Sequence, residues 1–244
     1  MKLKGLLVPT RAVTDGQRAA MLALMQQHYE NVDRATFAHD LEEKDWVILL
    51  FDAQTETLAG FSTQMLLSVE AAGQPIKALY SGDTIISRDH WGDNALTHVW
   101  GRLALSLIET YSSTDLYWFL ISKGYKTYRF LPLFFHEFYP RYGVATPPWA
   151  RAVLDALGRY KYPHAYDSAA GVIRGHAGKD RLRPGIAEIT PERLCNPHVR
   201  FFAERNPGHE RGDELCCLAR LNRDNLTAAA YRVIGPNPVL PEVR

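Results

Sequence analysis

Three apolar segments follow one another with only short polar turns between them, and this pattern most restricts the fold. Trp46–Phe51 reads as a compact buried strand, residues 52–57 as a polar hairpin turn, and Leu58–Val69 as a long strand. Residues 71–75 make a second turn, and Ile76–Ser87 a third strand. Branched, aromatic and leucine runs bounded by Gly, Pro, Asp and Gln predict strands. Turns this short join antiparallel neighbours. Such a meander must bury at least one apolar face, so helices have to supply the other layer.

The flanking segments have helical periodicity. Met21, Leu22, Met25 and Tyr29 predict a helix over 15–29 with Asp15 as N-cap, and the polar stretch 31–44 a second, shorter one. After the third strand, Arg88–Asn94 is a tight turn. Leu96, Val99, Trp100, Leu103 and Leu107 then mark one face of a helix ending near Tyr111. Leu116–Ile121 is a strand. Tyr128, Leu131, Phe134, Phe135 and Phe138 predict an aromatic-faced helix, with Pro132 as an irregularity, that stops at Tyr142 with Gly143 in the C′ position.

Residues 145–212 are dense in proline and glycine. Helices are expected at Trp149–Arg159 and Pro191–Arg205, the second with Thr190 as N-cap, and irregular chain at His164–Arg183. Glu214–Leu221 and Leu226–Ile234 read as two strands of a hairpin turning at Asn222–Asn225. The resulting division is a core over 1–144, an insertion or substrate lid over 145–212, a closing hairpin over 213–234 and a loose tail over 235–244.

Charge and cysteine content narrow the function classes. Twenty-eight basic against 27 acidic residues leave a net charge of +1, which gives no electrostatic footprint for nucleic acid. No apolar run reaches the roughly 18–20 residues of a membrane span. The three cysteines, Cys195, Cys216 and Cys217, lack metal-ligand spacing and fit a reducing cytoplasm. The nine histidines are scattered, so no metal site is expected.

The order helix, short helix, three meander strands, helix, strand, helix, two closing strands resembles the GNAT acyltransferase superfamily. Three local features carry the resemblance. Asp83–Ala95 runs a strand through Gly92 into a helix, where the family places a glycine-containing phosphate loop. Tyr139–Val144, with Tyr139 four residues before Gly143, resembles the family's Tyr-x-x-x-Gly-Phe. The pair of closing strands is the third. The loop departs from the pattern in carrying Asp93 and Asn94 where a second small residue is usual. The helix-entry asparagine after the late strand is replaced by Ser122-Lys123-Gly124.

The resemblance implies an α+β fold with a mixed, mostly antiparallel sheet, in which the strand ending at Ser87 and the strand ending at Ile121 splay apart. An acyl-CoA or acetyl-CoA thioester would enter the gap and pass its acyl group to an amine of a small molecule. An acyl-carrier protein is the alternative donor, and an inactive GNAT-like binding module the alternative to an enzyme. Backbone N–H groups near Ile85 and Ile86 would polarise the carbonyl. Ser87, Arg88, Trp91, Gly92, Asp93, Asn94 and Ala95 would form the phosphate loop at a helix N-terminus.

Tyr139 would protonate the leaving thiolate, or would only cap the core. Asp83 would take the amine proton, or would satisfy backbone groups at a bulge after Gly82. Ser122 and Lys123, with Lys126, would meet the donor's phosphates or an acidic carrier, or form a solvated turn. His90 would relay a proton or lie exposed in its turn. The aromatic residues around Trp118, Phe130 and Phe134 would be core, or would line an acyl tunnel. Arg200 or Arg211 would hold a carboxylate, or be ordinary surface charge.

Overall fold

The computed structural model describes residues 2–176 and 178–235. The chain begins with β1 (Leu3–Pro9), α1 (Asp15–His28), β2 (Tyr29–Glu30) and α2 (Arg34–Glu42), followed by the meander β3 (Trp46–Asp52), β4 (Leu58–Ala71) and β5 (Gln74–Ile86). Next come α3 (Ala95–Thr110), β6 (Asp115–Ser122), α4 (Tyr125–Tyr128), α5 (Phe130–Phe134) and β7 (Phe138–Tyr139). The last part holds α6 (Pro148–Lys161), β8 (Tyr166–Asp167), β9 (Val172–Ile173), β10 (Arg181–Leu182), α7 (Pro197–Arg205), β11 (Glu214–Arg220) and α8 (Ala228–Ile234).

One sheet orders its strands β1-β3-β4-β5-β6-β11-β9-β8, with β7 also on β11. Every pair is antiparallel except β5 with β6. A parallel pair needs a long crossover, and α3 supplies it. The expected α+β, mostly antiparallel sheet flanked by helices is therefore present. Alternation along β3 sorts the layers: Ile48 and Leu50 point into the core under α3, while Val47 and Leu49 point to α1 and α2. Helix α6 covers the same face as α1 and α2, over Tyr80, Phe119 and Leu218. Cys216 and Cys217 fall on opposite faces of β11, both buried and free.

Several local expectations are corrected. Helix α1 is capped by Thr14 and not Asp15: Thr14 Oγ1 accepts from Gln17 N at 3.2 Å, and Gln17 Oε1 from Thr14 N at 2.9 Å. Strand β1, unforeseen, pairs with β3 from Leu3↔Asp52 to Pro9↔Trp46. The aromatic stretch 128–142 is not one helix. Asn225 grips it in extended form, donating to Glu137 O at 2.8 Å and accepting from Glu137 N at 2.7 Å, and Phe138–Tyr139 joins β11. Pro191 starts no helix; α7 begins at Pro197, with Asn196 Oδ1 accepting from His198 N at 3.0 Å.

The closing hairpin over 213–234 is absent. Only β11 is a strand, and the second segment forms α8, capped by Thr227, whose Oγ1 accepts from Ala230 N at 3.2 Å. Leu226, Ala230 and Ile234, four residues apart, turn one apolar face to α3. A Cβ on Gly101 would meet Ile234 at 2.2 Å, so glycine is what lets the two helices touch. Segment 145–212 is no separate lid: α6 lies on the sheet, β8 and β9 extend it, and only β10 leaves it, pairing with β2. Of the tail, residues 236–244 lie outside the described residues. Among the described residues no helix is long and apolar enough to cross a membrane.

Candidate active site

Strands β5 and β6 pair from Ile76↔Asp115 to Ser81↔Leu120 and no further. Beyond that point Ile121 and Ser122 pair with Cys216 and Leu215 of β11, while residues 84–86 of β5 pair only with β4. The expected divergence is present, and a cleft of about 700 Å³ opens from it. A bulge starts the separation. Ser81 faces Gln64 and Thr84 faces Ser62, so Gly82 and Asp83 share the one position opposite Thr63. A Cβ on Gly82 would lie 2.6 Å from Thr63 Oγ1 and 3.1 Å from Lys44 Cε, so the bulge requires glycine.

The apex of the wedge is held by a buried polar chain. Trp100 Nε1 and Trp118 Nε1 donate to Ser81 Oγ at 3.2 and 2.9 Å, and Ser81 donates to Gln64 Oε1 at 2.7 Å. Gln64 Nε2 donates to Ser62 Oγ at 2.8 Å, and Ser62 Oγ lies 2.7 Å from Thr84 Oγ1. Buried polar groups satisfied this way specify one packing arrangement.

On the wall below α1 and α2, Asp83 lines the cleft beside Tyr29, Asp40, Lys123, Asp180 and Glu214. Desolvation in the cleft, aided by the negative charges of Asp40 and Asp180, pushes its carboxyl up to about 7 against the opposing pull of Lys123 and Lys44. No hydrogen bond is among the influences that set it. A carboxylate so poised near neutrality is suited to general-base work. Lys123 is buried between Asp180, to which it donates, and Glu214 at 3.6 Å. Burial would lower its pKa, but Glu214 and Asp180 outweigh that and hold it cationic. Burial raises Tyr29, and Lys123 partly offsets this.

At the N-terminus of α3 the opposite wall carries the cation Lys126, with Arg88 and Arg193 near it but outside the cleft lining. Arg88, Lys126 and Arg193 make no ion pair among the described residues. Lys126 lies 3.3 Å from the centre of the Trp91 ring, and Arg193 over Tyr125 at 5.4 Å. Desolvation first, then repulsion from Arg193 and Arg88, lower Lys126 to about 8. Asn94 makes no side-chain cap to α3. Leu96 and Thr97 of its first turn both line the cleft. Asp93 takes the first N–H, that of Ala95, so the N–H groups of Leu96 and Thr97, beside cations without ion pairs, are what suits an anion.

The structure sorts the remaining expected residues. Ile86, Trp91, Gly92, Asp93 and Asn94 line the cleft together with Ile85 and Lys123. Ser87 N–H bonds Ala59 O at 2.8 Å, and Ile86 O accepts from Trp91 Nε1 at 2.9 Å. Alternation therefore turns the main-chain N–H of Ile86, not Ile85, away from β4. Gly92 has φ +97°, the left-handed conformation its turn demands. Asp93 is a stitch: its Oδ1 accepts from Ala95 N at 2.7 Å and its Oδ2 from Leu3 N at 3.0 Å. Ser87 and His90 do not line the cleft. His90 is buried and bridges Ser87 Oγ and Asp52 Oδ2, each at 2.8 Å, which pins the turn.

Three further residues are displaced from the roles the resemblance gave them. Tyr139 does not line the cleft. It sits on β7, beyond β6 and β11, roughly 10 Å from β6 at the usual ~4.8 Å strand spacing. Its hydroxyl donates to Glu137 Oε1 at 2.7 Å and its ring packs on Trp149. Ser122 is buried and donates to Gly124 O at 2.7 Å, locking a turn. Lys123 lines the cleft but pairs with carboxylates, and among the described residues Lys126 is the cation of that loop with no ion pair. Arg200 is tied to Leu194 O at 3.1 Å, and neither it nor Arg211 lines the cleft. The sequence reading missed Tyr29, Asp40, Asp180 and Glu214, which converge from four distant segments and leave no local signal.

The sequence matches no protein-family model and no curated protein. Solved structures share the fold loosely. A protein from Enterococcus faecalis described as a probable N-acyltransferase aligns at 12% identity and TM-score 0.42, over 57% of this chain and 33% of that one. N-myristoyltransferase of Saccharomyces cerevisiae with bound myristoyl-CoA aligns at 10% identity and TM-score 0.38, over 50% of this chain and 29% of that one. A GNAT family N-acetyltransferase of Escherichia coli in complex with CoA aligns at 16% identity and TM-score 0.38, over 53% and 69%. The chain spans about a third of the length of the first two. At these scores the likenesses carry no weight for activity.

Proposed function

We propose that this chain is an acyltransferase that moves an acyl group from a CoA thioester to an amine, with both reactants held in the cleft at once. The observation that carries this reading is Asp83: a carboxyl pushed up to about 7, at the bulge where β5 leaves β6. The amine nitrogen attacks the thioester carbonyl carbon. The carboxylate of Asp83 takes a proton from that nitrogen. The C–S bond breaks, the thiolate leaves with its electron pair, and an amide is formed. The N–H of Ile86 faces the gap and would polarise the carbonyl oxygen. Holding amine and thioester side by side supplies much of the acceleration.

The donor's phosphates belong at Lys126 and the first turn of α3, with the charges of Arg88 and Arg193 behind them. Tyr139 takes no part in this step. Thiol release from acetyl-, hexanoyl- and decanoyl-CoA with a panel of primary amines tests the proposal. Turnover is expected to rise with pH through about 7, and to fall about 100-fold in Asp83→Asn with the pH dependence flattened. Calorimetry that finds no binding of any acyl-CoA would sink it. An acyl-carrier protein offers the same arm and an acidic surface to the same cations, and faster turnover of carrier-bound acyl groups would put that donor in place of free CoA.

A further inference from the structure

Next to the wedge apex lies a second, smaller cavity of about 40 Å³. Thr84, Leu96, Thr97, Thr127, Phe130 and Phe134 line both this cavity and the cleft, so the two adjoin. Its inner wall is Trp100, Trp118 and Leu120 from the crossover and its strand, and its floor is Leu226, Ala230 and Ile234. Of the five hydroxyls on its lining four are already engaged, and the fifth, that of Thr127, makes no hydrogen bond among the described residues. Those of Ser62, Ser81 and Thr84 serve the polar chain at the apex, and Thr97 Oγ1 donates to Asn94 O at 2.9 Å. A cavity with a single hydroxyl to offer gives water too few partners and suits an apolar guest.

We infer that this cavity receives the tail of the transferred acyl group, which makes the donor's acyl group longer than acetyl. The inference rests on the thioester reading above and names its substrate class. At about 10–15 Å³ for each water-sized group, the cavity admits about three such groups. With the carbonyl carbon and the one or two carbons after it held in the cleft, those three end groups make an acyl chain of about five or six carbons. Helix α8 sets this depth. A strand in its place would leave the floor open, whereas Ala230, fully buried at the third helical position, closes it with the smallest side chain available. Phe134 and Phe130, stacked with centroids 5.9 Å apart, form the wall shared with the cleft.

Calorimetric titration with CoA and with its S-ethyl, S-butyl, S-hexyl and S-decyl thioethers reads the tail length directly, because these probes cannot transfer. Affinity is expected to rise about fourfold per added methylene up to a tail of about five or six carbons, and then to level off or fall. Ala230→Leu is expected to abolish the gain beyond the ethyl probe while leaving the affinity for CoA itself unchanged. If that variant does not fold, Phe134→Leu reads the same cavity from its mouth and is expected to move the optimum to a longer tail. Equal affinity for all the thioethers in the wild type, with CoA bound, overturns the inference and leaves the thioester reading standing. Failure to bind CoA and every thioether overturns both.

Discussion

The two walls of the cleft are built on opposite electrostatic plans. Near the N-terminus of α3, burial first and then repulsion from Arg193 and Arg88 lower Lys126 to about 8. Only an incoming anion relieves that repulsion. On the α1–α2 wall the charges are already matched: Lys123 sits among Asp180, Glu214 and the Tyr29 ring, and Lys44 bonds Asp40 at 2.6 Å. Asp83, half-buried, has no hydrogen bond or ion pair there among the described residues. The difference teaches how to tell a group kept for architecture from one kept for a ligand. A charge with a local partner holds the fold, and one held in tension without a partner awaits a visitor.

Substitutions on the two walls should therefore fail differently. The largest effect is expected from Lys123→Met. It leaves Asp180 and Glu214 beside Asp83 with Lys179 alone, at 3.8 and 3.3 Å, and should cost about 3 kcal/mol in chemical denaturation. It also removes a charge that lowers Asp83, so the pH midpoint of any surviving activity should move upward. Unchanged stability would break the comparison. Asp83→Asn comes next, in the opposite direction. A carboxyl raised in the folded state favours folding while protonated and opposes it once ionised. The variant should therefore gain of order 2 kcal/mol over the wild type at pH 8, a gain that fades as pH falls through 7 toward 4. Thermal unfolding across that range measures it.

On the other wall, Lys126→Ala with Arg193→Ala should weaken CoA about tenfold and flatten its salt dependence, yet change stability by less than about 0.5 kcal/mol. A large loss of stability would mean these cations are structural after all. The smallest expected effect is the loss of the Thr14 cap in Thr14→Ala. It should cost about 1 kcal/mol and leave donor affinity untouched.

The meander and the crossover were legible because their signals are local. Trp46–Phe51 and Leu116–Ile121 are runs of strand-forming residues bounded by turns, and each strand in the structure starts within two residues of the expectation. The wedge was legible through resemblance, and Asp83 through its place on the strand beside it. Two of the misjudged segments share one physical cause. Residues 135–139 and 226–234 have ambiguous patterns, and Asn225 settles both by holding Glu137 in extended chain and ending the turn from which α8 starts. Tyr139 carried the right spacing to Gly143, but spacing along the chain says nothing of which strand receives it. The acidic partners of Lys123 come from residues 180 and 214, a proximity that only tertiary folding creates.

The parting of β5 from β6 also leaves an unpaired rim inside the sheet. A row of main-chain donors and acceptors that has lost its neighbour is a template for any extended chain, another copy of this protein included. Two devices limit the hazard: the bulge at Gly82–Asp83 kinks the rim, and the ladder of Tyr29–Glu30 with Arg181–Leu182 brings Tyr29 and Leu182 to the same opening. Self-association should thus begin at this seam in concentrated protein and subside when CoA fills it, a change that sedimentation with and without CoA would detect.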